Sequence, residues 1–214
     1  MIPAIAHFVW LGRALPWVNV LALRSCANNG GFAEIYLHCS DDPGSWEHAA
    51  ELRKIRNLRL MHGNYNAVLQ SLGNGSKTLH DLYRQLDSPV ARSNIIRTAV
   101  LQHWGGVYLD FDTITIAPLD ELRHRYPVFF GLERIALPYR VRASRNPVVK
   151  GAALLRKTVR AYCRWRKNGW RLFRKIERWY PLAENCAVLG SQCGHPLLEA
   201  MIKAMLAVPE EQVG

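Results

Sequence analysis

The sequence predicts an α/β sandwich built on a mixed, mostly parallel sheet. Three observations predict it. Short apolar runs alternate with longer segments of helical periodicity, the pattern of strands joined by crossover helices. One of those segments, "SPVARSNIIRTAVLQHWGG", has a serine cap, a proline at the first helical position and a Gly-Gly stop directly before a strand. The 214 residues, 49% hydrophobic and 21% charged, suffice for a single domain with a sizeable core.

Each element can be justified in turn. "AIAHFVWLG" is apolar and ends at Gly12, so it reads as a buried first strand. "NVLALRSCANNGG" reads as a helix stopped by Asn-Gly-Gly. "FAEIYLHCSDDPG" is a second strand running into a turn, and "SWEHAAELRKIRN" a charged helix capped by Ser45. "LRLMHG" is a short third strand. Residues 63–80, rich in Gly, Asn and Ser, read as loop with one short helix. The helix after Ser88 carries Ile96, Ala99, Val100 and Trp104 at helical spacing and leads through Gly105-Gly106 into a strand over 107–112. "TITIAPL" continues extended, "PVFFGLE" is a further strand, and residues 156–181 form one or two helices broken near Asn168-Gly169. "ENCAVLGS" is a last short strand and "HPLLEAMIKAMLAV" a closing amphipathic helix.

Composition narrows the function classes. No run of about 18 apolar residues is present, so a membrane-spanning helix is not expected. The N-terminus lacks a basic leader and reads as a strand rather than a signal peptide. Five scattered cysteines without a CxxC pair argue against a zinc site or a disulfide framework and for a reducing compartment. Lys and Arg (28) outnumber Asp and Glu (17), giving +11 and a pI near 9.8. Much of the excess lies in 156–181, where Arg and Lys interleave with Tyr162, Trp165, Trp170, Phe173, Trp179 and Tyr180. Such a stretch suits an anionic membrane surface or a polyanion, or is simply a solvated helical face; no specific nucleic acid is expected. The expected location is cytoplasmic, peripheral to the inner membrane face.

The chemistry concentrates in "GGVYLDFDT". If residues 107–112 are extended, Tyr108, Asp110 and Asp112 share one face and Val107, Leu109 and Phe111 the other. Two carboxylates side by side are costly without a cation or hydrogen-bond donors between them. They make a hard-oxygen site for Mn²⁺ or Mg²⁺, ions that keep waters and bridge to phosphate oxygens. Asn94 and Arg97, three apart on the preceding helix, project from one side, and an arginine offers forked donors to a diphosphate. A bare D-x-D carries little information; flanked by N-x-x-R, Gly-Gly and Tyr it is much more specific.

With these residues in place, "SNIIRTAVLQHWGGVYLDFD" resembles the sugar-nucleotide-binding region of glycosyltransferases that contain a DXD motif. That group includes initiating mannosyltransferases, α-1,4-galactosyltransferase relatives and clostridial glucosylating toxins. Ser93, Arg97, Leu101, Gly105, Gly106, Tyr108, Asp110 and Asp112 fall in register with its pattern. "IPAIAHFVWLG" resembles its opening strand, and "ENCAVLGSQCGHPLLEAMI" its later strand-to-helix element. The resemblance implies an A-type glycosyltransferase fold over the whole chain, a nucleotide-sugar donor and a divalent cation, usually Mn²⁺. It implies Asp112 as direct metal ligand, Asp110 on the ribose or donor sugar or on the metal through water, and Arg97 on the donor sugar and phosphates. It places Trp10 under the nucleotide base and Asn94 and Tyr108 in the donor site. Asn94 stands where the family's usual Asp holds the donor's hydroxyls. Relatives also usually continue beyond the point where this chain stops, at "VPEEQVG".

The reaction expected is transfer of a hexose from a UDP- or GDP-sugar to a hydroxyl of a saccharide, lipid-linked or protein acceptor, with retention of configuration. One alternative is a non-catalytic, basic polyanion- or membrane-binding protein on a degenerate transferase fold. A haloacid-dehalogenase-type phosphohydrolase fits less well, because Thr113 stands where Gly is usual and the acid pair lies at mid-chain.

Overall fold

The computed structural model describes residues 1–75, 77–138, 141 and 144–208. The closing "PEEQVG" of the expected early stop lies outside the described residues. The chain divides into two compact units, one of residues 1–129 and 187–214, the other of residues 130–186.

In the first unit β1 (Ile5–Trp10), α1 (Trp17–Asn29), β2 (Glu34–Cys39), α2 (Ala49–Arg53) and β3 (Leu58–His62) form two successive strand–helix–strand units. They are followed by α3 (Tyr65–Ser71), α4 (Leu79–Gln85), α5 (Pro89–Trp104), β4 (Gly106–Leu109) and α6 (Asp120–Arg125). Then come β5 (Val128–Arg134), β6 (Leu182–Ser191) and α9 (Pro196–Leu206), of which β5 and β6 cross the boundary between the units. The sheet runs β3-β2-β1-β4-β6-β5. β1 pairs in parallel with both β2 and β4, β2 in parallel with β3, and β4 antiparallel with β6. The mixed, mostly parallel α/β sheet is thus as the sequence predicts.

The near-continuous apolar strands are those of a sheet covered on both faces. Phe8, Ile35, Leu37, Val107 and Leu109 join Val20 and Leu23 of α1 in one buried cluster. On α5, Ile95, Ile96, Ala99, Val100 and Leu101 are buried, a wider apolar face than the four-residue stripe read from the sequence. Ser88 accepts from the Ala91 N–H and Pro89 opens the helix, as expected. Each such buried aliphatic contributes about 1.5–3 kcal/mol of apolar transfer free energy.

Three local expectations are corrected. Ser45 does not cap the charged helix: it closes a 3-10 turn whose Asp42 accepts from Gly44 N–H, and α2 starts only at Ala49. The strand expected over 107–112 ends at Leu109. There the Thr113 amide and hydroxyl both donate to the Asp110 carbonyl, folding 110–113 into a turn. Residues 63–80 hold α3 and lead into a second helix, α4, begun by a Thr78–Asp81 capping box.

The second unit is built on α7 (Pro147–Trp165) and α8 (Gly169–Ile176). The expected break falls at Asn168, which takes φ 62°, and a side chain at Gly169 would overlap the Cys163 carbonyl. One face of α7 is tied down. Arg160 donates to the Arg134 carbonyl and to Glu133, and the Tyr180 hydroxyl donates to the Arg156 carbonyl.

Candidate functional site

All the sequence-predicted site residues lie in the first unit: Trp10 at the end of β1, Tyr108, Asp110 and Asp112 in and just after β4, and Asn94 and Arg97 on α5. These adjacent parallel strands flank the point where the order of the sheet reverses. In open α/β sheets a crevice forms at such a switch point, because the connecting helices depart to opposite faces. Here it is a cleft of about 440 Å³ lined by Trp10, Leu11, Ser93, Asn94, Asp110 and Asp112, among others.

The start of β4, the strand that leads to the acids, is set by the glycine pair. Gly105 (φ 65°) and Gly106 (φ 107°) both occupy backbone conformations that side chains rarely adopt. A Cβ on Gly106 would sit 2.6 Å from the Ile5 carbonyl oxygen, and one on Gly105 2.6 Å from the Cys193 amide nitrogen. His7 Nε2–H donates to the Gly105 carbonyl at 2.8 Å, and His7 Nδ1 lies 3.0 Å from His38 Nε2. With His7 neutral, its Nδ1 is the acceptor, so His38 donates from Nε2 and keeps an unprotonated Nδ1. That Nδ1 has no partner among the described residues. Burial drives both imidazoles toward the neutral form: His7 falls to about 4 against the Gly105 bond that opposes it, and His38 lies well below its ordinary value. These histidines stand 31 residues apart in the sequence, and the parallel register of β1 and β2, Val9 opposite His38, brings them together.

Further along β4, Tyr108 is buried and its hydroxyl donates to Asp110 Oδ1 at 2.7 Å. Burial, then the Asp110 charge, push the Tyr108 phenol above its ordinary range, so it stays a donor. Arg97, only 9% exposed, stacks over the Tyr108 ring at 4.7 Å, places Nη1 3.8 Å from Asp110 Oδ1 and donates through Nη2 to Asn94 Oδ1. The predicted shared side of Asn94 and Arg97 is therefore real, and Asn94 acts as acceptor to the arginine. Asp112 is different. Its carboxylate is exposed in the turn and makes no hydrogen bond or ion pair among the described residues.

Trp10 ends β1 with its indole Nε1–H donating to the Ala14 carbonyl at 3.0 Å. Gly12 leaves room for the ring, since a Cβ there would stand 3.0 Å from it. Phe111 was expected to follow Val107 and Leu109 away from the acids. It does pack with them on the core, meeting Phe8 at 5.1 Å, and it also borders the cleft, where it meets Trp10 edge to face at 5.6 Å. No sequence signal short of the turn itself marks that position.

Among the described residues no group of three or more His, Cys, Asp or Glu is placed to hold a metal ion. The donor set present is two carboxylates on one cleft, one tethered and one unpartnered. That set suits a hard cation whose remaining ligands are water and phosphate oxygens.

Residues 36–129 match the family described as "Glycosyltransferase sugar-binding region containing DXD motif". No curated protein matches the chain. Among solved structures, the chain is similar to the PaToxG glycosyltransferase at 18% identity, covering 100% of this chain and 80% of that one, with a TM-score of 0.42. It is also similar to the ligand-free glycosyltransferase domain of the YGT toxin at 10% identity, covering 94% and 62%, with a TM-score of 0.48. The family match spans the Asn94, Arg97, Tyr108, Asp110 and Asp112 positions.

Proposed function

We propose that the chain is a metal-dependent hexosyltransferase that takes a UDP- or GDP-linked sugar and passes the sugar to a hydroxyl acceptor with retention of configuration. The observation that carries this reading is the unpartnered Asp112 carboxylate beside a tethered Asp110 on a cleft walled by Trp10 and Asn94. In this reading Asp112, and Asp110 directly or through water, hold Mn²⁺ or Mg²⁺. The cation, when bound, supplies positive charge to the diphosphate that departs as the glycosidic bond breaks. Trp10 offers a flat face to the base, with its N–H already committed and its ring held by Phe111. Asn94, hydrogen-bonded to Arg97, and Asp110, ion-paired with Arg97 and held by the Tyr108 hydroxyl, form one row along the donor sugar.

The test is Asp112→Asn assayed for Mn²⁺-dependent hydrolysis of nucleotide sugars. A loss of about a hundredfold or more is expected, since a cation on a leaving group is worth several kcal/mol. The melting temperature should not move, because the parent carboxylate supports nothing in the fold. Parental turnover in the variant would refute the assignment.

A further inference from the structure

The surplus charge of the chain is confined to its second unit. Residues 130–186 contain 15 Lys and Arg against 3 Glu, a net +12, whereas the other residues have 13 basic against 14 acidic, a net −1. On α7 this charge is arranged. Lys150, Lys157 and Arg164 recur every seven residues along one edge of the helix, and none has a hydrogen bond or ion pair among the described residues. Arg156 and Arg160 belong to the opposite, tied-down face.

Next to the basic edge lies a mostly apolar face, whose Tyr162 is covered by Arg166. Val148, Leu155 and Tyr162 also recur every seven residues, with Leu154 and Trp165 between them and the lysines. All five are open to solvent: Val148 is 77% exposed, Leu154 63%, Leu155 54% and Trp165 84%, with Tyr162 at 47%. Past the Asn168 break, Trp170 and, on the following turn, Trp179 are 57% and 63% exposed. A helix with one face in the protein, one edge of unpaired cations and an exposed aliphatic-aromatic face between them matches a bilayer interface. The cations face lipid phosphates, and the tryptophans sit at headgroup depth.

We propose that the α7–α8 surface docks on anionic lipid bilayers, seating Leu154, Leu155 and Trp165 in the headgroup region with Lys150, Lys157 and Arg164 on acidic lipids. A nucleic acid accounts for the cations and tryptophans but leaves the Val148–Leu155–Tyr162 stripe without a counterpart. The proposal is independent of the sugar-transfer reading, since none of its residues lies in the Asp110–Asp112 cleft.

The test is flotation of the full chain with vesicles of phosphatidylcholine alone or with 30% phosphatidylglycerol added (on the order of a physiological anionic fraction). Binding to the anionic vesicles only, with a blue shift of tryptophan emission, is expected. Lys150→Gln with Lys157→Gln should weaken it about 25-fold, roughly fivefold per cation. Trp165→Ser with Leu155→Ser should abolish the blue shift; both positions are exposed, and an unchanged circular dichroism melt confirms the fold. The proposal is overturned by equal flotation on neutral vesicles, by full binding of the Trp165→Ser, Leu155→Ser variant, or by a chain that ignores vesicles and binds single-stranded RNA or a second copy of itself through this face.

Discussion

Acidification should loosen the buried His7–Gly105 contact at the amino end of β4. His7 is fully buried, donates to the Gly105 carbonyl, and has its pKa lowered from 6.5 to about 4, chiefly by burial. Since the folded value lies below the unfolded one, the unfolded chain binds more protons between those limits. The neutral imidazole therefore contributes its full stability above about pH 6.5, and that contribution drains away as pH falls toward 4. Integrated from pH 7 to pH 5, the loss from His7 alone is about 2 kcal/mol, a large share of a typical folding free energy of about 5–15 kcal/mol. His38, shifted the same way, adds to it. Urea unfolding followed by tryptophan fluorescence at pH 7 and pH 5 measures the difference. Long-range ¹H–¹⁵N spectra of the imidazoles test its origin: both rings should report Nε2–H tautomers and remain neutral at pH 5.5. A His7 ring that titrates near 6.5, or a stability equal at the two pH values, would refute the reasoning.

The site makes further demands. Tyr108→Phe removes the 2.7 Å bond to Asp110 and should cost about 1 kcal/mol, because Arg97 and water still reach the carboxylate; the urea midpoint measures it. Gly106→Ala drives a Cβ into the Ile5 carbonyl at a φ of 107° and should cost about 3 kcal/mol or more, seen as a lowered melting temperature or a loss of soluble chain. Trp10→Ala should weaken UDP or GDP binding by about ten- to hundredfold in calorimetry, the worth of roughly 1–3 kcal/mol for stacking on a base. Unchanged nucleotide affinity would remove Trp10 from the donor site.

Much of this architecture was legible in the sequence because the signals were local and agreed with one another. The helix over 89–104 announced itself by Ser88, Pro89 and the Gly-Gly stop, and the structure uses all of them. The same row of residues placed Asn94 and Arg97 on one side. Part of what was misread depended on partners far away in the chain. The period of two runs on through "LDFDTIT", but the neighbouring strand β6 pairs with β4 only from Gly106 to Leu109, and the chain turns where its ladder stops. Ser45 looked like a cap until Asp42 and Pro43 formed a turn upstream. α4 is short, yet its Thr78-x-x-Asp81 signature was present and readable. α6, also short, is a run of charges without an apolar stripe. The His7–His38 pair carries no sequence signal at all, since residues 31 apart meet only through strand register.

The isolation of Asp112 has an evolutionary corollary. Tyr108, Arg97 and Asp110 hold one another, so a lineage that alters any of them loses stability together with whatever the cleft does. Nothing in the architecture rewards the Asp112 carboxylate, and a descendant that no longer uses the cleft can shed that acid at no structural cost. Drift should therefore strike position 112 first, which makes it the place to look when sorting working copies of this chain from retired ones.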